Sequence, residues 1–322
     1  MNNVHRVSPP TRRPRFMTQS APPAASAPSG NGPGNPPIPS PAPAPFQPLI
    51  RPLPDLAAWT AHFRDMEIPV LASTAEQLEL WRANEDAVDA HLLGEILSKD
   101  PLMTLKLLAH AASQRSSRLL TDAETVTAAL VLMGITPFFK AFGAQPTVEQ
   151  RLADRPDALA GVQRVLHRAE RAARFALGFA AHRADPDAAI IHSAALLHDF
   201  SEMLLWCEAP DLALEIQRRQ AADPALRSVA AQRAVLNVEL GDLEQALMRT
   251  WHLPELLAHI VDDKKGHDPQ VRSVTLAVRL ARHTAQSWEN PAVPDDLIEI
   301  GELMSLSPAH TLKLVHEVDG VV

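Results

Sequence analysis

Few residues of this chain have the types and neighbours that covalent or metal chemistry requires. Cys207 is the single cysteine, which excludes an internal disulfide and any Cys-rich zinc module. A reactive thiol favours a basic neighbour, whereas Glu208 follows Cys207, so the pattern predicts a small buried residue. Ser193 has apolar helical neighbours and lacks a nucleophile elbow. The sequence also contains no HExxH motif, no glycine-rich phosphate loop and no GxSxG motif.

The adjacent pair His198-Asp199 combines an imidazole with a carboxylate, two groups that can bind a divalent cation. The pair follows the apolar run 195–197. A lone His-Asp dipeptide on an apolar helix is more often structural. In that case we expect His198 to pair with a carbonyl or a carboxylate and Asp199 to cap the following turn. Metal binding is the alternative interpretation of the pair.

Basic residues recur along one flank of the segment 157–183. They are Arg164, His167, Arg168, Arg171 and Arg174. Glu170 interrupts the run, so we interpret it as a solvated face. A bound anionic nucleotide is the alternative.

The elements that must position these residues are predicted to be helices. From residue 55 onward, leucine and alanine dominate, glycine is rare and tyrosine is absent. Apolar residues recur at steps of three and four within 157–183 and again from Val271 to Ala285. Proline after a small polar residue is typical of a helix start, and X-Pro pairs, most of this kind, punctuate the chain. The pairs are Asp100-Pro101, Thr136-Pro137, Asp185-Pro186, Asp223-Pro224, Leu253-Pro254 and Asp268-Pro269. The pattern predicts an all-α protein of roughly a dozen helices.

The first 50 residues differ in composition from the rest of the chain. Residues 1–48 hold 14 of the 29 prolines, and the first acidic residue is Asp55. The formal charge of −8 therefore divides into a basic tail and an acidic body, because residues 55–322 carry 25 Lys and Arg against 38 Asp and Glu. A segment with so little to bury is predicted to be a disordered tail over residues 1–50.

The C-terminal part, 291–322, is predicted to add two helices. Its apolar stripe is Leu297, Ile300, Leu303, Met304, Leu312, Val315 and Val318. Thr311, Lys313 and Glu317 are expected to face water.

Short motifs in a fixed order carry a family resemblance. In the first half they are Ile68-Pro69, the stretch from Ile96 to Leu102, Leu107-Leu108, Ala129-Leu130 and Met133-Gly134-Ile135. In the second half they are His167, the stretch from Ala195 to Asp199, and Trp251-His252-Leu253-Pro254. The ordered set resembles the HDOD domain, the HD-related output domain of bacterial signalling proteins, over residues 55–290. The resemblance implies a helical subdomain over about 55–145, packed on a bundle over 150–290 that is related to HD phosphohydrolases. Residues 291–322 would form an extension.

The resemblance also implies where a metal site would lie. HD phosphohydrolases hold divalent metal with a histidine, a His-Asp pair and a later aspartate, and these positions match His167, His198 and Asp199. The last ligand falls on Val278, so one ligand position is apolar. Three protein ligands still suffice for a catalytic zinc.

Two further positions depart from the family pattern. Leu240 stands where many HDOD chains carry a histidine, and its apolar stripe predicts a core residue. Asp262, Asp263 or Lys264 replaces an expected His-His pair. His259 or Asp263 is the candidate for a replacement ligand.

These departures predict a non-catalytic signalling or scaffold protein that contacts a protein partner of a bacterial signalling pathway and holds no cofactor. The alternative is a metal-dependent phosphohydrolase or phosphodiesterase, using Fe, Mn or Zn on a nucleotide or cyclic dinucleotide. The acidic body disfavours nucleic acid as a partner. No apolar run approaches the length of a membrane span and no export signal is evident, so the expected location is the cytoplasm.

Overall fold

The computed structural model describes residues 46–114 and 123–321. The predicted tail, 1–50, therefore lies outside the described residues except for its last five positions. The described residues form one compact unit that begins at Phe46. The division of this unit into two subdomains and an extension stays a prediction.

Within the described ranges the chain is helical and contains no strand, which confirms the predicted all-α class. A single isolated β-bridge joins Val70 and Thr147. The helices of the first half are α1 (Leu56–Arg64), α2 (Ala72–Arg82), α3 (Ala90–Leu97), α4 (Pro101–Ser113), α5 (Val126–Met133), α6 (Ile135–Ala141) and α7 (Val148–Arg151). Those of the second half are α8 (Pro156–His182), α9 (Ala188–Leu197), α10 (Phe200–Glu208), α11 (Pro210–Ala222), α12 (Ser228–Leu236), α13 (Leu240–Thr250), α14 (Glu255–Ile260), α15 (Pro269–His283), α16 (Val293–Met304) and α17 (Pro308–Asp319). Short 3-10 helices cover Glu85–Ala87 and Asp263–Lys265.

Aspartate-proline pairs start two of these helices as predicted. The Asp100 carboxylate accepts hydrogen bonds from the backbone N–H groups of Leu102 and Met103, and proline occupies the first position of α4. At the start of α15 the Asp268 carboxylate accepts from the Gln270 N–H, and proline again occupies the first helical position. The prediction was wrong for Asp223-Pro224, because the Asp223 carboxylate accepts from the Ala225 N–H and closes a local turn instead.

Helix α8 is the central element of the second half. It packs against α9, α10, α15 and α17. Its predicted apolar stripe is buried, including Val162, Ala169 and Ala176. Gly161 permits a close approach, because a Cβ there would lie 2.4 Å from the Trp206 ring. The long helix therefore holds α10 and its flanking residues at a fixed position.

The C-terminal part forms two helices, α16 and α17, as predicted, and most of the predicted apolar stripe, including Ile300 and Val315, is buried. The prediction fails at two neighbouring positions of α17. Thr311 is fully buried and its hydroxyl donates to the Ser307 carbonyl, so the expectation that it faces water was wrong. Leu312, expected on the apolar stripe, is 39% exposed. Thr311 packs against Gly301 of α16, where an added Cβ would lie only 3.0 Å from the Thr311 Oγ1. The contact therefore has room for a small hydroxyl side chain.

The basic run on α8 is not the uniform solvated face that the sequence suggested. Arg171 is 7% exposed and donates to Asp319 of α17 from Nε at 3.0 Å and from Nη2 at 2.7 Å. It also donates to the Thr284 carbonyl at 3.2 Å and to the Thr284 hydroxyl at 2.9 Å. Arg171 therefore anchors the last helix to α8.

Across the described helices, none is both long and apolar enough to cross a bilayer.

Candidate functional site

A cavity of about 690 Å³ lies between α8, α10, α11, α12, α13 and the 3-10 helix Asp263–Lys265. Its lining includes the predicted pair His198 and Asp199. His198 follows the last residue of α9, and Asp199 directly precedes α10, so the helix junction places both side chains at the cavity. A volume of this size is typical of small-molecule sites.

Both ring nitrogens of His198 face carboxylates. Nδ1 lies 3.2 Å from the Asp199 Oδ1, and Nε2 lies 3.1 Å from the Asp263 Oδ1. Asp263 is fixed in turn by the Thr275 hydroxyl of α15, which donates to the same oxygen at 2.8 Å. The expected pairing of His198 with a carboxylate is therefore observed.

Two arginines close the other side of Asp199. Arg168 of α8 donates to the Asp199 Oδ2 from Nε at 3.1 Å and from Nη2 at 2.8 Å. The same Nη2 donates to the Glu202 Oε2 at 2.7 Å. Arg282 of α15 lies 3.4 Å from the Asp199 Oδ1. Asp199 makes no side-chain cap at the start of α10, so the expected capping role was wrong.

The charges of these groups reinforce each other. Burial alone would lower the pKa of His198, but hydrogen bonds with Asp199 and Asp263 outweigh it and raise the pKa to about 10. Burial would raise the pKa of Asp199, but the charges of Arg168 and Arg282 and the contact with His198 hold it well below its usual value. At neutral pH the network is therefore an imidazolium and two guanidiniums facing three carboxylates.

Comparison of the sequence with known protein families identifies the family of this chain. The family model described as HDOD domain matches residues 68–266, which is more than half of the chain. The chain belongs to the HDOD domain family. No curated protein sequence is significantly similar to it.

Two solved structures resemble this HDOD protein in fold. The MmoQ response regulator from Methylococcus capsulatus is 17% identical, with a TM-score of 0.60 over 78% of this chain and 99% of that chain. A virulence factor from Campylobacter jejuni is 15% identical, with a TM-score of 0.57 over 83% of this chain and 100% of that chain. At these identities the likeness shows the fold alone.

The HDOD chain does not fit the divalent metal that its resemblance to HD phosphohydrolases implies. Both ring nitrogens of His198 already face carboxylates, so neither is directed at an open site that a metal ion could occupy. Asp199 already accepts from two arginines. In the ranges 46–114 and 123–321, no group of three or more His, Cys, Asp or Glu side chains is arranged to hold a metal ion.

The third candidate ligand, His167, lies elsewhere. It is exposed and does not line the cavity. Successive helical residues point about 100° apart, so the next residue, Arg168, is the one that faces Asp199. The set His167, His198 and Asp199 is therefore not brought together in this HDOD domain, because a guanidinium projects from α8 where the alternative needed an imidazole.

Of the remaining positions of the predicted site, only Asp263 contacts the His198-Asp199 pair. Val278 and Leu240 are buried at 4% and 6% exposure, so both are core residues. Asp263 contacts His198, whereas His259 pairs with Asp268 at 2.9 Å and does not line the cavity.

Sequence reasoning missed the roles of Arg168, Glu202 and Arg282. A signal existed for two of them. Glu202 follows Asp199 by three residues on α10, and Arg282 follows Val278 by four on α15, spacings that place each pair on one helix face. The buried carboxyl of Glu244 on α13 also lines the cavity and was not anticipated.

Proposed function

We propose that this HDOD protein is a non-catalytic signalling domain that acts through contacts with a protein partner. One observation carries the proposal: the Asp199 carboxylate is bound by Arg168 and Arg282 instead of being open to a metal. Metal-assisted hydrolysis needs an open coordination position and deprotonated ligands. Asp199 and Asp263 are already bound by Arg168, Arg282 or His198, which leaves no open position beside them.

The energetics of the network support a closed state. Arg168, Arg282 and protonated His198 balance Asp199, Glu202 and Asp263 in formal charge. A divalent cation would have to displace a guanidinium and a proton before it could bind. Charged pairs of low exposure are costly to break, because the group left behind keeps its desolvation penalty; Arg168 and Asp199 side chains are 17% and 13% exposed.

A signalling role agrees with the family and with one structural neighbour, the MmoQ response regulator. On this proposal the helical framework is retained as a platform for partner contacts, while the catalytic centre has become a structural ion network. Hydrolysis of a nucleotide or cyclic dinucleotide is the competing outcome.

Two assays on the full chain test the proposal. The first is phosphate release from a panel of nucleotides and cyclic dinucleotides with added Mn²⁺. We expect no release above that of Asp199→Ala. Metal-dependent release that Asp199→Ala abolishes would overturn the non-catalytic assignment.

The second assay is affinity capture from cells of the source organism, comparing wild type with Asp199→Ala. A partner retained by both proteins and confirmed with purified components supports a contact function. Failure of every captured protein to bind in purified form would contradict it.

A further inference from the structure

Seven carboxyl side chains line the cavity, and one of them differs from the rest. Six lie within salt-bridge distance of an arginine, lysine or histidine nitrogen: Asp199, Glu202, Glu239, Asp242, Asp262 and Asp263. Glu244 is the seventh, and it has no such partner in the described part of the chain. Buried charges in proteins are normally paired, so this carboxyl group lacks a counter-charge that a ligand could supply.

The Glu244 side chain is enclosed, and only half of its carboxyl group is bonded. The residue is 4% exposed, and its Oε2 accepts from the Ser201 hydroxyl of α10 at 3.3 Å. The nearby His198 directs its two ring nitrogens at Asp199 and Asp263 instead. Within the described residues no donor bonds the Glu244 Oε1. A carboxylate oxygen accepts up to two hydrogen bonds, so this atom has unused capacity.

The unpaired oxygen can be reached from the cavity. Among the unpaired polar side-chain atoms of the ranges 46–114 and 123–321, some have no accessible surface, such as the Trp206 Nε1, but the Glu244 Oε1 is not one of them. Glu244 also lines the cavity. A donor group of a ligand in the cavity can therefore approach Oε1.

Apolar side chains lie one helical turn from this carboxyl group on both helices. Leu240 precedes Glu244 by four residues on α13, and Leu205 follows Ser201 by four residues on α10. Residues four apart share a helix face, and both leucines line the cavity. Ile216 of α11 continues the apolar lining. An enclosed acceptor beside apolar groups is typical of a site for a small molecule with one polar end.

The charges of the lining favour a cationic polar end. Its seven carboxyl groups exceed the four Arg and Lys side chains even when His198 is counted with them. An ammonium group would donate to the free oxygen and supply the missing counter-charge, and such charge-assisted hydrogen bonds are the stronger kind. Burial raises the pKa of Glu244 well above its usual value. A bound cation favours the ionised carboxylate and offsets this cost of burial.

We propose that the cavity binds a small primary amine whose ammonium group donates to the Glu244 Oε1 and whose apolar body packs on Leu205 and Leu240. The site shares the cavity with the ion network but uses the one lining carboxyl that the network leaves without a cation. Amine binding goes beyond the proposed function, since it requires neither the partner contact nor the absence of hydrolysis.

The test measures binding to the full chain by isothermal titration calorimetry. Four probes share a phenylalkyl body: 3-phenylpropylamine, its N,N,N-trimethylated ammonium derivative, 3-phenylpropan-1-ol and 3-phenylpropionate. We expect 3-phenylpropylamine to bind at least about tenfold more tightly than the alcohol, the factor that one hydrogen bond to a charged group provides. The trimethylated probe keeps the charge but has no N–H, so we expect it to bind more weakly than the amine. This comparison uses wild type alone.

Matched variants locate the contact. Glu244→Gln keeps the size of the side chain and removes its charge, so affinity for 3-phenylpropylamine should fall at least about tenfold. Affinity for the alcohol should stay within about twofold, which also shows that the cavity of the variant is intact. Glu239→Gln is the control, because Glu239 lines the same cavity but pairs with Arg233. We expect it to leave amine affinity unchanged, and circular dichroism checks that both variants are folded.

Each of the following results would overturn the proposal. They are no saturable binding of 3-phenylpropylamine, binding of any other probe that is as tight, and equal amine affinity in wild type and Glu244→Gln. An equal loss in Glu239→Gln and Glu244→Gln would do the same, because it would reduce the effect to a general attraction by the acidic lining. Phosphate release and partner capture are measured without these probes, so failure of the amine site and failure of the proposed function are distinguishable.

Discussion

Two arginines three residues apart on α8 form ion pairs of different kinds. Arg171 binds one carboxylate, Asp319, together with a backbone carbonyl and a hydroxyl from Thr284. Arg168 binds two carboxylates, Asp199 and Glu202, at the wall of a cavity. The first pair is enclosed by protein, with both side chains 8% exposed, and the second is partly open. The comparison teaches that one guanidinium fastens a helix, whereas the other neutralises groups that could otherwise serve as ligands.

The largest expected effect is on the anchor of α17. Arg171→Met leaves the buried Asp319 with only the more distant Arg174 and removes the donors of the Thr284 contacts, so unfolding free energy should fall by about 3–5 kcal/mol. Urea denaturation followed by circular dichroism measures it. Arg174→Met is the control, because Arg174 is 45% exposed and 3.8 Å from Asp319. An equal loss in both variants would remove the distinction between anchor and surface.

The second prediction concerns the cavity arginine. Arg168→Met should lower unfolding free energy by about 2–3 kcal/mol, less than Arg171→Met because the cavity hydrates the freed carboxylates. It should also create sensitivity to cations, so that Mn²⁺ raises the melting temperature of Arg168→Met and leaves that of wild type unchanged. Urea denaturation measures the change in unfolding free energy, and thermal unfolding with and without Mn²⁺ measures the shift in melting temperature. A similar Mn²⁺ response in wild type would show that the network is open to metal.

The third prediction is a pH dependence that belongs to the cavity region. The pKa of His198 is raised to about 10 in the folded state, above the value near 6.5 expected for the unfolded chain. Its stabilising contribution is complete below about pH 6.5 and is lost as pH rises toward 10. We expect wild type to lose on the order of 3–4 kcal/mol of unfolding free energy between pH 7 and pH 10 from this source. His198→Gln should flatten that slope.

The control for the pH dependence is His259→Gln, which changes a histidine outside the cavity that pairs with Asp268. Urea denaturation at several pH values compares the three proteins. Parallel slopes for wild type and His198→Gln would show that His198 does not carry the effect.

The smallest effect is expected on the exposed face of α17. Lys313 and Glu317 lie 3.6 Å apart with side chains 72% and 60% exposed. Lys313→Ala should change unfolding free energy by at most about 0.5 kcal/mol. The loss of unfolding free energy in Lys313→Ala, compared with that in Arg171→Met, shows how far burial, rather than opposite charge, determines the strength of an ion pair on this helix. A loss above 1 kcal/mol would contradict that reasoning.

The sequence predicted the features that depend on local periodicity and capping. The all-α class, the long helix over 157–183 and the starts of α4 and α15 follow from residues close together in the chain. Burial of Leu240 and of the Val278 stripe follows from the same spacing.

Contacts between distant segments could not be predicted in the same way. Arg168 meets Asp199, 31 residues away, while its neighbour His167 is exposed, and one helical residue changes the direction of a side chain by about 100°. The predictions for Thr311 and Leu312 of α17 failed for a related reason. Thr311 is buried because Gly301 of another helix leaves room only for a small group. Periodicity predicts that a helix has an apolar face, but the helix packed against it determines which residues are buried at each position.

The account rests on the claim that the His198-Asp199 pair is closed to metal by Arg168. The most direct measurement is the metal content of the full chain, purified from cells supplied with Fe, Mn and Zn, beside His198→Ala. We expect wild type to contain no more of these metals than His198→Ala, well below one ion per chain. One ion of Fe, Mn or Zn per chain in wild type, lost in His198→Ala, would contradict the closed network and restore the hydrolytic alternative.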